Sequence, residues 1–147
     1  MQNTQTIRLM IIDDDAMLLA GLKRILRPYF SIQTATSGAD AIIQVRCASN
    51  PFSVVVCNML MPGLNGAETL SEIYRLSPNT VQIMLSGEIS ASQFFNNFPE
   101  NCIFRFLEKP ISEGAIVMSI LQAFNENKIY ESEGKILKKI IADIIDR

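Results

Sequence analysis

Short apolar runs alternating with amphipathic stretches constrain the fold of this chain more than any other feature. Five runs have the length and the β-branched character of strands: IRLMII (7–12), FSIQTA (30–35), FSVVVCN (52–58), VQIMLSG (81–87) and one within CIFRFLEKP (102–110). Strands that alternate with helical stretches are typical of βαβ units and a parallel sheet. We therefore expect an α/β protein, a doubly wound (βα)5 sandwich with a five-stranded parallel sheet.

The stretches between the runs have apolar residues at helical spacing, and capping or breaking residues mark their ends. The first, AMLLAGLKRILRPY, is expected to place four apolar residues on one stripe: Leu18, Leu22, Ile25 and Leu26. Ser37 is expected to cap the second helix, and Pro78 to end the third. The segment EISASQFFNNFPEN (88–101) predicts a short or irregular helix, because it contains Asn96, Asn97 and Pro99. A last helix is expected to begin near Ser112 and to run well past Phe124.

Composition is that of one globular domain and excludes several kinds of function. A net charge of −2 gives no reason to expect nucleic acid or membrane-surface binding. The chain has no histidine, which excludes histidine-based catalysis, metal ligation and phosphotransfer from its own side chains. Its three cysteines are not in CxxC spacing and indicate neither a disulfide framework nor a zinc site. With no signal-peptide pattern and no membrane-length apolar stretch, a cytoplasmic location is expected.

Polar side chains follow four of the predicted strands. They are Asp13, Asp14 and Asp15 after the first strand, Asn58 after the third, Ser86 after the fourth and Lys109 after the fifth. Right-handed crossovers place the carboxyl ends of parallel strands at one edge, where such sheets bind ligands. Adjacent acids can hold Mg²⁺, while a hydroxyl and a lysine can hold phosphoryl oxygens. The set therefore resembles a site for metal-assisted phosphoryl transfer to a carboxylate, except that an amide stands at position 58.

Four motifs in order, IIDDD, VVVCNMLMPGLNG, IMLSG and FRFLEKP, resemble the receiver domain of two-component response regulators, which is CheY-like. The resemblance covers about residues 7 to 125 and implies a flavodoxin-like fold with an extended C-terminal helix. It divides the chain into a receiver domain (1–125) and a helical extension (126–147). The implied function is a receiver module of phosphorelay signalling and not an enzyme. The implied partners are a histidine kinase or phosphotransfer protein, and an output domain or partner protein.

The resemblance also assigns roles to single residues. Mg²⁺ would be held by Asp13 and Asp14, with Asp14 the more direct ligand, and by the backbone carbonyl of Leu60. Ser86 and Lys109 would hold the phosphoryl group, and the Lys109–Pro110 bond is a candidate cis peptide. Ser86 and Phe106 would be the switch residues, although Phe106 alternates with Phe104 along a strand and equally suits core packing. Asp15 is expected instead to stabilise a helix N-terminus, and Cys57 to be a small buried hydrophobe.

Asn58 stands where the family carries the aspartate that accepts the phosphoryl group. Its amide can still offer a carbonyl oxygen to a metal, but it cannot act as the anionic nucleophile that forms an acyl phosphate. The substitution also lowers the formal charge of the acidic pocket from three to two. We therefore expect no phosphorylation at Asn58 and weakened Mg²⁺ binding. Because the other pocket residues are present, the pattern indicates chemistry that was lost rather than never acquired.

The C-terminal segment carries apolar residues at helical spacing: Ile129, Ile136, Leu137, Ile140, Ile141 and Ile144. Gly134 is expected to break or bend this helix. Two interpretations remain open. The segment either folds back on its own domain, or it extends as a stalk that pairs two chains in a homodimer or links to an output domain. No helix-turn-helix or basic surface follows, so DNA binding by this chain is not expected.

Two other classes of function also place polar groups at this edge of a sheet. A Mg²⁺-dependent phosphoryl-transfer enzyme or phosphatase would use Asp13 or Asp14 as nucleophile, but such enzymes usually separate two aspartates by one residue and add a cap domain. The short loops here leave no room for a cap. A flavin-binding flavodoxin-like protein would need a Ser/Thr/Gly-rich phosphate loop after the first strand, which this chain lacks.

Overall fold

A computed structural model describes residues 7–87 and 103–146, and within them it contains one parallel five-stranded sheet in the order β2-β1-β3-β4-β5. The strands are β1 (Arg8–Ile12), β2 (Ser31–Ala35), β3 (Val54–Asn58), β4 (Val81–Ser86) and β5 (Arg105–Glu108). The helices are α1 (Ala16–Leu26), α2 (Gly38–Cys47), α3 (Gly66–Leu76) and α4 (Glu113–Ile145). The predicted flavodoxin-like fold is confirmed, with strand boundaries close to those expected. The helix expected in 88–101 lies outside the described residues.

Alternate residues of the central strands enter two separate hydrophobic clusters. In β3, Val54 and Val56 belong to the cluster that contains residues of α1 and α4, whereas Val55 and Cys57 belong to the cluster that contains residues of α2 and α3. Side chains of a strand point alternately to its two faces, so helices cover both faces of the sheet. This double burial explains why β3 is a continuous apolar run that ends in a single polar residue at the edge.

Short polar side chains cap each helix at its N-terminus. Asp15 accepts hydrogen bonds from two backbone N–H groups at the start of α1, as expected, and Ser37 accepts one from Asp40 in α2. The predicted stripe of α1 is wrong at one position. Ile25 is exposed, and the buried residues of this helix are Leu19 and Leu26. The two buried residues are seven apart, which returns them to one face, whereas Ile25 lies about 100° from Leu26 around the helix.

Helix α4 begins after Ser112, as predicted, and continues for 33 residues. The break that the sequence allowed at Gly134 is wrong, because the helix is continuous through it, while a bend at this position stays a prediction. A glycine costs a helix interior only about 1 kcal/mol, which the flanking helix-forming residues can offset. Asn127 is buried, and its side-chain amide donates to the Asn79 carbonyl at 2.6 Å. Residues 135–146 are all exposed, so the extension does not fold back on the described part of the domain.

None of the helices in the described ranges is both long enough and apolar enough to cross a membrane. Helix α4 has the length, but its last turns carry charged residues among the isoleucines, including Lys135, Lys138, Lys139 and Asp143. The extension is therefore amphipathic rather than uniformly apolar.

Candidate functional site

The carboxyl ends of β1, β3 and β5 bring three of the predicted site residues into contact. Asp13 directly follows β1, Asn58 is the last residue of β3, and Lys109 directly follows β5. Lys109 Nζ lies 3.2 Å from Asp13 Oδ2 and 3.1 Å from Asn58 Oδ1. These residues are 96 and 51 positions apart from Lys109 in sequence. Only the parallel topology places them together, as the convergence of strand ends predicted.

Asp13 is engaged on both of its carboxylate oxygens. One oxygen forms the ion pair with Lys109, and the other accepts the backbone N–H of Asp15 at 2.9 Å. The side chain of Asp13 is only 3% exposed, and that of Lys109 is 31% exposed. A buried carboxylate needs a partner that neutralises its charge, and Lys109 provides one. Asp13 is therefore a paired anion at the floor of the site rather than an open ligand.

The side-chain amide of Asn58 contacts three neighbours, each through the atom that suits it. Its oxygen accepts from Lys109, while its nitrogen donates to the Leu60 carbonyl at 2.9 Å and to Asp14 Oδ1 at 3.3 Å. An amide nitrogen carries two N–H donors, which matches two acceptors. The nitrogen thus faces two of the groups that the sequence assigns to the metal, and the oxygen faces away from them.

As arranged, the residues around Asn58 do not fit a divalent ion. Mg²⁺ takes oxygen ligands in octahedral geometry, and an N–H group cannot coordinate it. Within the described residues there is no group of three histidine, cysteine, aspartate or glutamate side chains that could hold a metal. One Asp13 oxygen is bound to Lys109, and Asp14 Oδ1 and the Leu60 carbonyl oxygen face the Asn58 N–H groups. The metal set predicted from the sequence, including Asn58, stays a prediction that this geometry does not favour.

The predicted switch residues lie on the two strands nearest Lys109. Ser86 is buried at the end of β4, and its backbone carbonyl accepts the N–H of Lys109 at 2.8 Å. Phe106 of β5 pairs with Met84 in the sheet and packs, half-buried, against the cluster shared with α2 and α3. The Lys109–Pro110 peptide bond is cis, as expected. The positions suit the expected roles, while the switch function itself stays a prediction.

Gly66 positions Asn58, and sequence reasoning missed it. The backbone N–H of Gly66 donates to the Met59 carbonyl at 2.8 Å, and a Cβ at this position would lie 2.5 Å from the Asn58 carbonyl oxygen. The preceding Asn65 caps α3 and forms a capping box with Glu68. An Asn-Gly pair before an amphipathic run is typical of a helix start. This pattern does not show that a side chain at position 66 would clash with the backbone at the end of β3.

Cys57, next to Asn58, does not supply a replacement nucleophile. Its side chain points into the core, where burial and then the negative charge of Asp13 raise the pKa of its thiol. A thiol is nucleophilic only as a thiolate, so Cys57 stays unreactive at neutral pH. This agrees with its interpretation as a small buried hydrophobe.

Comparison with known proteins gives one consistent result. The family model described as "Response regulator receiver domain" matches residues 9–121. The hydrogenase transcriptional regulatory protein HoxA of Cupriavidus necator is 28% identical over 114 residues, which are 78% of this chain and 23% of that protein. Among the curated relatives it matches, the chain spans 11% of the length of the sensor kinase CckA of Brucella abortus and 37% of the response regulator UvrY of Escherichia coli.

Solved structures give the same fold. The crystal structure of adenylate cyclase from Rhodopirellula baltica superposes with a TM-score of 0.86 at 33% identity, covering 92% of this chain and 99% of that one. A response regulator receiver domain protein from Clostridium thermocellum superposes with a TM-score of 0.77 at 26% identity, covering 84% and 98%. The 8% of this chain outside the first match is less than the length of segment 126–147. Part of the helical extension is therefore shared with the Rhodopirellula chain.

Proposed function

Because this chain belongs to the response regulator receiver domain family, which serves two-component phosphorelay signalling, we propose that it is a receiver module that cannot be phosphorylated at Asn58 and acts through protein–protein contacts. The observation that carries this proposal is the amide at the end of β3, whose oxygen lies 3.1 Å from the ammonium of Lys109. Phosphorylation of a receiver needs an anionic oxygen at that place. The amide oxygen of Asn58 is neutral and already accepts a hydrogen bond.

The residues around Asn58 support the view that only the nucleophile of the pocket is missing. Ser86 and Lys109 would hold a phosphoryl group, and Ser86 and Phe106 would be the switch residues that respond to it. A histidine kinase or phosphotransfer protein is the partner that an aspartate at this position would serve. With Asn58 in its place, a bound partner instead sets the equilibrium between the two states of the surface around Ser86 and Phe106. A cytoplasmic location remains the prediction from the sequence.

The extension of α4 supports a role in assembly. Ile136, Ile140 and Ile144 lie one turn apart, and each is about half exposed or more. Together with Leu137 and Ile141 they form a continuous apolar stripe along one side of the helix. Exposed apolar residues on a protein surface are normally scattered singly, so a continuous stripe marks an interaction site. We propose that this stripe pairs two copies of the chain and that the paired helices lead to an output domain. The part of the extension shared with the Rhodopirellula adenylate cyclase chain supports this architecture.

Intact-mass analysis tests the absence of phosphorylation. The unmodified chain, Asn58→Asp and the control Asn65→Asp are each incubated with Mg²⁺ and acetyl phosphate. Aspartate caps a helix as well as asparagine does, so Asn65→Asp introduces the same chemical change outside the pocket. We expect only Asn58→Asp to gain one phosphoryl group, and its signal to disappear in hydroxylamine.

Two results would contradict the proposal. A phosphoryl group on the unmodified chain would show that another side chain accepts it, and no gain by any form would show that the pocket is inactive for reasons beyond Asn58. The enzyme alternative has its own test in the turnover of a chromogenic phosphate ester. Turnover that Asp13→Asn abolishes would replace the receiver proposal with a phosphatase.

A further inference from the structure

Both the oxygen and the nitrogen of the Asn58 side-chain amide have hydrogen-bond partners. Two of these partners, Asp14 and Leu60, are groups that the family resemblance assigns to the Mg²⁺ ion. We infer that the Asn58 amide nitrogen takes the position of a divalent cation between Asp14 and Leu60, and that Lys109 fixes the amide in this orientation. The pocket then keeps its arrangement without metal. This inference rests on the proposed function, since it takes the site to be a receiver pocket that has exchanged its aspartate for asparagine.

The donor geometry is the first step. Asp14 Oδ1 and the Leu60 carbonyl oxygen both face Asn58 Nδ2, at 3.3 Å and 2.9 Å. Two oxygens that converge on one point repel each other unless a positive group lies between them. The partial positive charge of the two N–H groups fulfils that need. A carboxylate at position 58 would add a third oxygen instead and would require a cation.

Lys109 decides which way the amide faces. With the observed orientation, its ammonium donates to Asn58 Oδ1 at 3.1 Å. If the oxygen and nitrogen exchanged places, an NH₂ group would face the ammonium, and the amide oxygen would lie 2.9 Å from the Leu60 carbonyl oxygen. Both new contacts would be repulsive, because lysine has no acceptor and a carbonyl has no donor. The amide oxygen is therefore unavailable to a metal while Lys109 stays in place.

This arrangement predicts a penalty on metal binding beyond the loss of one negative charge. A cation that entered would have to displace the hydrogen bonds from Asn58 to Asp14 and Leu60 and then turn the amide against Lys109. With an aspartate at position 58, either oxygen serves either neighbour, so no turn is needed. Lys109 should therefore oppose Mg²⁺ more strongly with asparagine at position 58 than with aspartate.

A double-mutant cycle tests this difference. Mg²⁺ dissociation constants are measured from the chemical shift of the Asp15 backbone amide, which is bonded to Asp13, in four full-length proteins. These are the unmodified chain, Asn58→Asp, Lys109→Met and the double variant. Removal of the Lys109 charge should strengthen Mg²⁺ binding whether position 58 is asparagine or aspartate. The ratio of these two changes in dissociation constant measures the contribution of the amide orientation. Lys109→Gln replaces Lys109→Met if the latter does not fold, and Lys109→Arg is the control that keeps charge and donor.

We expect the unmodified chain to bind Mg²⁺ at least about tenfold more weakly than Asn58→Asp. Removing Lys109 should tighten binding by a factor at least about threefold larger in the unmodified background than in the Asn58→Asp background. A smaller ratio, or binding by the unmodified chain within about threefold of Asn58→Asp, overturns the inference. Phosphorylation of Asn58→Asp is a separate readout. If this variant is phosphorylated but removal of Lys109 changes Mg²⁺ affinity equally with asparagine and with aspartate at position 58, the inference is wrong and the proposed function stands.

Discussion

The pocket at the carboxyl edge of the sheet and the extension of α4 differ in where their interacting groups find partners. In the pocket, the charged and polar groups are paired within the chain: Asp13 with Lys109, and Asn58 with Lys109, Leu60 and Asp14. In the extension, the apolar side chains have no such cover among the described residues, and Ile144 remains 62% exposed. The first region can keep its structure without a ligand. The second gains stability only when something covers it.

The difference shows how one chain can lose an input while it keeps an output. The pocket carries the residues through which a phosphoryl group would act, but its nucleophile position is an amide that bonds to its own neighbours. Helix α4 begins four residues after Lys109 and buries Ile116, Ile120 and Ala123 against the sheet, and its residues 135–146 are all exposed. Any state of the sheet that shifts α4 would therefore move the exposed stripe as well.

Charges placed on the apolar stripe of the extension should weaken pairing more than any other change. Ile140→Asp combined with Ile144→Asp places two carboxylates on the apolar stripe, where association would bury them. We expect the dimer dissociation constant measured by sedimentation equilibrium to rise at least about 100-fold, since loss of central apolar contacts and burial of charge both oppose pairing. The pocket should be unaffected, with an unchanged Asn58 side-chain signal.

Lys135→Ala combined with Lys139→Ala is the matched control. It lowers the net charge by the same two units on another side of the helix, and alanine preserves helix propensity. This control should leave the dissociation constant within about threefold of the unmodified value. An unmodified chain that stays monomeric at every accessible concentration would contradict pairing through the stripe.

A smaller effect contrasts one glycine from each region. Gly66→Ala should destabilise the fold by about 1–3 kcal/mol, because the added Cβ would press on backbone atoms of Asn58 and Met59, at 2.5 and 2.9 Å. Gly134→Ala adds a Cβ with nothing within 4 Å and should stabilise the helix by about 0.5–1 kcal/mol. Urea unfolding measures both free energies. Equal effects of the two substitutions would contradict the difference in packing between the regions.

The sequence predicted the fold because, along most of the described chain, the spacing of apolar residues and the positions of capping and helix-breaking residues indicate the same elements. It predicted the convergence of Asp13, Asn58 and Lys109 because parallel strands end at one edge. It misplaced Ile25 because apolar spacing alone does not tell which of two adjacent stripes faces the sheet. The low helix propensity of glycine predicted a break or bend at Gly134. In a long helix the neighbouring residues offset the cost of one glycine, so the helix does not break there.

The orientation of the Asn58 amide could not be read from the sequence at all. An asparagine can present its carbonyl oxygen to a metal, or it can present its N–H groups to two acceptors. The choice depends on Lys109 from the far edge of the sheet, on the Leu60 carbonyl two residues on, and on their distances. Such tertiary neighbours decide the chemistry of a residue whose identity is visible from the start.

We infer that the Asn58 amide satisfies the pocket without a metal, and solvent exchange of its side-chain NH₂ tests this. The two ¹H–¹⁵N signals would be recorded by NMR in EDTA, with those of the exposed Asn50 and Asn125 as references in the same sample. We predict two well-separated Asn58 protons that already exchange more slowly than both references in EDTA, before any Mg²⁺ is added. Exchange as fast as in Asn50, or order that appears only with Mg²⁺, would contradict the claim.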